Sequence, residues 1–177
     1  MGKIRGYVIS AVVVVAVIVS FLFITQYLFG VFNPFYVVVS ESMVPNLNIG
    51  DIVIIKNNTP DYSFDHLKKG DIIVFKAPGD FMEDGKPRVI VHRVANIQEF
   101  NINGINRLVV TTKGDNNPES YNGLDFPILK ENYIGKVIYI LPKVGMVSMF
   151  LKPPVNYILI AIVGGATIFL MRRKKEQ

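Results

Sequence analysis

Hydrophobic side chains are concentrated at the two ends of the chain, in two stretches that contain no Asp, Glu, Lys or Arg. The first covers residues 7–32 and the second covers residues 155–171. As a helix rising about 1.5 Å per residue, the first stretch would be roughly 39 Å long, whereas the hydrocarbon core of a bilayer is about 30 Å thick. The second stretch is at the short end of the range for a spanning helix. The pattern predicts two transmembrane helices.

Basic residues flank these stretches. Lys3 and Arg5 precede the first, and residues 172–175 (RRKK) follow the second. Because cytoplasmic flanks are rich in Lys and Arg, both termini are predicted to be cytoplasmic and the middle of the chain extracytoplasmic. A cleaved secretory signal for the first stretch, and a buried core helix for the second, are the alternatives. The predicted parts are a cytoplasmic N-terminus (1–6), transmembrane helix 1 (7–32), an extracytoplasmic domain (33–154), transmembrane helix 2 (155–171) and a basic cytoplasmic tail (172–177).

The middle of the chain alternates short runs of Val, Ile, Tyr and Thr with Gly, Pro, Asn and Asp, a pattern typical of strands and turns. The predicted strands are residues 51–56, 71–76, 88–95, 107–112 and 133–141. Helix signals are weak and confined to residues 63–69 and 144–151. The predicted fold class is therefore mainly β, with a membrane-anchored β-domain between two transmembrane helices.

Charge and composition narrow the function classes. The chain has a net charge of +5, and this excess lies at the two ends, because residues 33–151 carry 12 basic and 13 acidic side chains. A slightly acidic domain does not favour nucleic acid as a partner. The absence of cysteine excludes a disulfide framework, a cysteine-ligated metal and a cysteine nucleophile. No cofactor and no metal site are predicted.

A hydroxyl nucleophile needs a base that can take its proton near neutral pH. Of the two histidines, His92 lies inside an apolar strand pattern, whereas His66 lies in a polar turn and is interpreted as structural. Ser42 follows the apolar run of residues 36–39, and Asp115 follows a strand through a Gly-Asp-Asn turn. Each of these residues alone is also compatible with a purely structural role.

In combination, the order Ser42, His92, Asp115 resembles that of type I signal peptidases. It is most similar to the archaeal branch, which is akin to the catalytic subunit of the eukaryotic endoplasmic-reticulum signal peptidase complex. The blocks that carry the resemblance are SESMVP (40–45), GDIIVF (70–75), VHRV (91–94), TKGDNN (112–117) and IGKV (134–137). The resemblance implies that Ser42 is the nucleophile, that Ser40 and the backbone of Ser42 form the oxyanion hole, and that His92 is the general base where the bacterial branch has Lys.

The acid departs from the family pattern. A second acidic residue is expected about six positions after Asp115, but that position is Tyr121. Asp115 itself is the favoured acid. Asp125 is the alternative, or a joint candidate, because it is close to the expected place when the loop is measured back from the IGKV block. Glu119 is a third choice.

The predicted function is that of a membrane-bound serine endopeptidase that removes N-terminal signal peptides from secreted preproteins at the outer membrane surface. Ser42 lies ten residues beyond Phe32, which keeps it within roughly 35 Å of the membrane end. The expected partners are signal-peptide-bearing preproteins, the lipid bilayer, and translocation machinery or other signal peptidase subunits. The alternatives are a non-catalytic β-domain protein that binds secretory substrates and an intracellular autocleaving Ser-Lys domain, which His92 and the membrane segments disfavour.

Overall fold

The computed structural model describes residues 2–79, 82–83, 85–102, 104–146 and 162. The chain begins with helix α1 (Gly2–Phe29), which contains a 19-residue apolar segment, Ala11–Phe29, long enough to cross a membrane. Only 6% of that segment is buried inside the protein, which distinguishes it from the core helix of a soluble domain. Apart from Ile162, the predicted second transmembrane helix (155–171) lies outside the described residues.

Among the described residues, eight strands follow α1, and two short 3-10 helices, Pro60–Tyr62 and Phe64–His66, lie between the second and third strands. The strands are β1 (Phe35–Val37), β2 (Ile52–Lys56), β3 (Ile72–Lys76), β4 (Met82–Glu83), β5 (Lys86–Pro87), β6 (Val89–Ile102), β7 (Ile105–Lys113) and β8 (Tyr133–Leu141). Six of them form one antiparallel sheet in the order β1-β2-β8-β3-β6-β7, and β4 pairs with β5 in a separate hairpin.

The central strand β3 is buried on both faces of the sheet. Ile73 and Phe75 belong to one hydrophobic cluster, which includes Ile90 and Ile128, whereas Val74 belongs to a second cluster on the opposite face. Alternate residues of a strand point to opposite faces, and the near-continuous apolar sequence of β3 fits this two-sided burial. The pairing of Ile73 with His92 in β6 therefore places the histidine on the face of the first cluster.

The main strands agree with the sequence pattern, and the differences have physical causes. Predicted strands 51–56, 71–76 and 133–141 are found to within one residue. Predicted strands 88–95 and 107–112 belong to a longer ribbon, β6–β7, whose outer part is exposed and mixes polar residues with exposed apolar ones such as Phe100 and Ile105. The short strands β1, β4 and β5 were not predicted. Of the helix signal at 63–69, only the 3-10 turn Phe64–His66 forms, and most of the signal at 144–151 lies outside the described residues.

Candidate active site

Ser42 lies in a compact loop between β1 and β2. The side chains of Met43 and Leu47, which are 1% and 0% exposed, anchor this loop in the second hydrophobic cluster. The backbone N–H of Leu47 donates to the carbonyl of Met43 over 2.9 Å, which closes a turn immediately after Ser42. From the opposite side, the N–H of Asn116 donates to the carbonyl of Ser42 over 2.8 Å. The position of the Ser42 backbone is therefore fixed by packing on one side and by a hydrogen bond on the other.

His92 lies in the inner strand β6 and is 3% exposed. Its Nε2 is 3.1 Å from the Oγ of Ser42, and its Nδ1 is 2.5 Å from Oδ1 of Asp125. The ring of Phe75 contacts the imidazole edge-on, with a distance of 6.4 Å between the ring centroids. The imidazole thus has one hydrogen-bond partner on each nitrogen and an apolar neighbour, an arrangement that holds its orientation.

Asp125 lies outside the regular strands and is held beside His92 by backbone pairing with β7. The N–H of Thr112 in β7 donates to the carbonyl of Asp125 over 2.9 Å. The carboxylate also accepts the Thr112 hydroxyl at 2.8 Å and the N–H of Tyr121 at 3.0 Å. Burial raises the pKa of the Asp125 carboxyl, but the hydrogen bonds from His92, Tyr121 and Thr112 outweigh burial and hold this pKa below its ordinary value. Asp125 is therefore a buried, ionised carboxylate that faces the imidazole.

Asp115, the favoured acid in the sequence, has a different set of partners. Its carboxylate accepts two hydrogen bonds from the Arg93 guanidinium, at 2.8 and 2.7 Å, and one from Asn46 Nδ2 at 2.8 Å. The hydrogen bond from Arg93 is the main cause that holds the pKa of Asp115 below its ordinary value. The preference for Asp115 is thus not supported by the geometry, which brings Asp125 to His92 instead. Glu119, the third choice, is exposed to solvent.

Asp115 instead joins the two halves of the site. Arg93 is the neighbour of His92 in β6, and its guanidinium also donates to the carbonyl of Gly70 over 2.8 Å. Asn46 belongs to the loop of Ser42. One carboxylate therefore connects the strand of the histidine with the loop of the serine.

A groove of about 270 Å³ opens beside Ser42 and His92. Its walls are formed mainly by two extended segments, residues 37–40 and 88–92. The Oγ of Ser40 is 3.2 Å from the Oγ of Ser42, so a second hydroxyl lies beside the first. Such a groove can hold an extended peptide next to the two serines. Within the described ranges, the His, Asp and Glu side chains form no group of three that could ligate a metal ion.

Several residues of this network were not predicted. Arg93, Asn46, Asn116 and Thr112 all belong to the blocks of the resemblance or lie directly beside them. The alternation along β7, where Val110 and Thr112 are both fully buried, could have identified Thr112 as a polar residue that needs a buried partner. No comparable sequence signal pairs Arg93 with Asp115.

Comparisons with known proteins identify the family of the chain. Residues 5–98 match the family "Signal peptidase, peptidase S26". The chain is 33% identical over 171 residues to the signal peptidase complex catalytic subunit sec11 of Schizosaccharomyces pombe, covering 82% of this chain and 80% of the relative. It is 34% identical over 146 residues to the signal peptidase complex catalytic subunit SEC11C of Rattus norvegicus, covering 79% and 69%.

The chain therefore belongs to the signal peptidase family, peptidase S26. The predicted enzyme class, a serine endopeptidase of the signal peptidase type, is confirmed, and so is the resemblance to the archaeal and eukaryotic branch. The alternative, a non-catalytic β-domain protein, is not supported by these comparisons.

Proposed function

We propose that this protein is a membrane-bound endopeptidase that cleaves N-terminal signal peptides from secreted preproteins, with Ser42 as nucleophile, His92 as general base and Asp125 as acid. The observation that carries the proposal is the continuous hydrogen-bonded chain from Ser42 Oγ through both ring nitrogens of His92 to Asp125. A nucleophile, a base and a group that orients the base are the three parts that this chemistry requires.

The proposed reaction begins when His92 Nε2 takes the proton of the Ser42 hydroxyl as Oγ attacks the scissile carbonyl. The imidazolium then protonates the leaving amine, and water hydrolyses the acyl-enzyme by the same proton route. Asp125 accepts the Nδ1–H of His92, which leaves the lone pair of Nε2 directed at Ser42 and stabilises the positive charge that forms on the ring. Because Asp125 is buried and ionised, its charge acts on the ring with little screening by water.

When Ser42 attacks, negative charge develops on the oxygen of the scissile carbonyl, and preorganised hydrogen-bond donors are needed to stabilise it. The Ser40 hydroxyl, 3.2 Å from Ser42 Oγ, is close enough to supply one, and the backbone N–H of Ser42 is the second proposed donor. Removal of one donor from such a site typically costs about 3 kcal/mol of transition-state stabilisation.

Asp115 has a positioning role in this proposal. Its bonds to Arg93 and Asn46 hold the strand of His92 against the loop of Ser42. Loss of the bonds would lengthen the 3.1 Å distance between Ser42 and His92 without removing either reacting group.

The proposed topology has α1 crossing the membrane, a second crossing by residues 155–171, both termini in the cytoplasm and the catalytic domain outside. The apolar helix α1 and the basic residues at both ends support it. Proposed partners are preproteins, the bilayer and further subunits of a signal peptidase complex, as the names of the relatives indicate.

The experiment that tests the proposal compares purified wild-type protein with Ser42→Ala and His92→Ala on a preprotein in detergent. The chain offers a matched control, because Ser63 and His66 form an exposed Ser-His pair with 3.0 Å between Oγ and Nδ1. Ser63→Ala and His66→Ala should cleave like the wild type, whereas Ser42→Ala and His92→Ala should lose more than about a thousandfold in kcat. Retained cleavage in His92→Ala would reject the Ser-His mechanism.

A further inference from the structure

The C-terminal end of α1 is capped by the loop that follows β2. The backbone N–H of Asn57 donates to the carbonyl of Phe29 over 2.9 Å, and Nδ2 of Asn58 donates to the carbonyl of Tyr27 over 2.7 Å. The last carbonyls of a helix have no partner within the helix. The catalytic domain therefore supplies donors to the end of the membrane helix.

Gly30 makes this close approach possible. It has a φ of +77°, and a Cβ at this position would lie 2.8 Å from the backbone nitrogen of Asn58 and closer still to the side chain of Asn57. The side chain of Asn57 also donates to the carbonyl of Ile134 in β8 over 2.8 Å. The end of α1 is thus packed directly on the loop after β2, and that loop is bonded to the neighbouring strand.

The chain that continues towards Ser42 is bonded to the same sheet. The N–H of Ile55 donates to the carbonyl of Pro34 over 2.9 Å, β1 then pairs with β2, and the N–H of Val38 donates to the carbonyl of Asp51 over 2.8 Å. The connection from α1 to the nucleophile is therefore a bonded joint rather than a free linker.

We propose that this joint, formed by Gly30, Asn57 and Asn58, fixes the height of Ser42 relative to α1 and thereby selects which peptide bond of a membrane-inserted substrate is cut. The inference rests on the proposed function. One residue of an extended substrate is about 3.3 Å long, so a change in height of that size presents the next bond. If Ser42 is held at one height relative to α1, the enzyme cuts one peptide bond. If the connection to α1 is flexible, Ser42 can reach several neighbouring bonds.

The test uses two variants of the joint and two substrates. Gly30→Val forces the helix end away from Asn58, and Asn58→Ala removes a single hydrogen bond from an exposed residue. Gly104→Val is the matched control, because Gly104 has a φ of +80° but its Cβ would meet nothing within 4 Å. The substrates are a preprotein inserted in liposomes with the full-length enzyme and a soluble peptide with the same cleavage sequence. Cleavage rates are measured, and cut positions are identified by mass spectrometry.

We expect all three variants to cut the soluble peptide within about threefold of the wild type. On the inserted preprotein, Gly104→Val should cut one bond at the wild-type rate. Gly30→Val should cut two or more adjacent bonds or lose about tenfold in rate, and Asn58→Ala should show the same change at about two- to fivefold, as expected for one hydrogen bond.

Three outcomes would overturn the inference. The first is an unchanged cut position and rate for both joint variants, and the second is an equal loss on both substrates, which would mean that the joint supports the site itself. If Gly30→Val does not fold, as judged by its thermal transition, Asn58→Ala alone decides by the same criteria. The third is a wild-type enzyme that is inactive on both substrates, which would overturn the proposed function as well and is distinguishable from the first two.

Discussion

Replacement of Asp125 by asparagine would change one carboxylate oxygen to an NH₂ group in a pocket where three donors already converge. These donors are His92 Nδ1, the Thr112 hydroxyl and the N–H of Tyr121. The residue is 0% exposed, so water cannot relieve a mismatch. Whichever way the amide turns, its NH₂ group meets a donor.

The result expected for Asp125→Asn follows from the tautomer of the ring. If the NH₂ group faces His92, Nδ1 must become an acceptor and Nε2 carries the proton, so Nε2 cannot accept the proton of Ser42. In serine peptidases this change costs about 10⁴-fold in kcat, which is about 5 kcal/mol of activation free energy. We expect a loss between about 10³- and 10⁴-fold with little change in KM.

The assay is single-substrate kinetics on a soluble peptide in detergent, together with the thermal transition of each variant. Asp115→Asn is the comparison, because the sequence favoured that residue as the acid. The assignment of Asp125 as the acid would be refuted if Asp125→Asn kept more than about a tenth of the wild-type kcat. It would also be refuted if Asp115→Asn were the slower enzyme with an unchanged thermal transition.

Three further predictions concern the surroundings of the site. Asp115→Asn should lower the free energy of unfolding by about 1 to 2 kcal/mol at pH 7, as measured by denaturant titration. The pKa of Asp115 lies below its ordinary value of about 3.9, so the wild-type carboxylate is fully ionised above about pH 5. The difference in stability from the wild type should therefore be complete above about pH 5 and should shrink as the pH falls through and below about 4. Thr112→Val should lower kcat about three- to tenfold by removing the hydroxyl 2.8 Å from Asp125, whereas Thr112→Ser should retain most activity; equal losses in both would contradict a role for the hydroxyl. Gly114→Ala would place a Cβ 2.6 Å from the Ser42 carbonyl oxygen and should reduce both kcat and the melting temperature, at a cost of about 1 to 3 kcal/mol; Gly6→Ala, whose Cβ would meet nothing within 4 Å, is its control.

The central strands could be predicted because their buried positions are occupied by apolar residues, which the sequence pattern shows directly. β2, β3 and β8 are rich in β-branched and aromatic residues and are each preceded by Gly, Asp or Asn, and all three lie where the pattern places them. β1 has only three residues and lies shortly after the apolar helix α1, so its hydrophobicity cannot be distinguished from the end of that apolar stretch. The outer half of the β6–β7 ribbon is held by pairing between its two strands, and even its apolar residues Phe100 and Ile105 are exposed, so burial does not impose a regular apolar alternation there.

In the candidate site, the pair Ser42 and His92 could be predicted from the sequence, whereas the choice between Asp115 and Asp125 could not. Ser42 and His92 each stand at a characteristic place beside or within an apolar run. Asp115 and Asp125 both lie in polar loop sequence, and the choice between them depends on the path of the chain from residue 114 to 125. That path is set by long-range hydrogen bonds, such as the backbone bond between Thr112 and Asp125 and the bond that the Arg93 side chain donates to Asp115.

His92 lies on an inner strand, whereas Ser42 lies on a loop. Local unfolding should therefore cost more free energy around His92 than around Ser42. The amide of His92 lies in β6, between β3 and β7, where hydrogen exchange requires disruption of the sheet. We expect the Ser42 loop to open earlier, because its release requires only that the bond from Asn116 breaks and that Met43 leaves its cluster. Mild denaturant should therefore abolish activity before the sheet unfolds, and a peptide bound in the groove should bring the two transitions together.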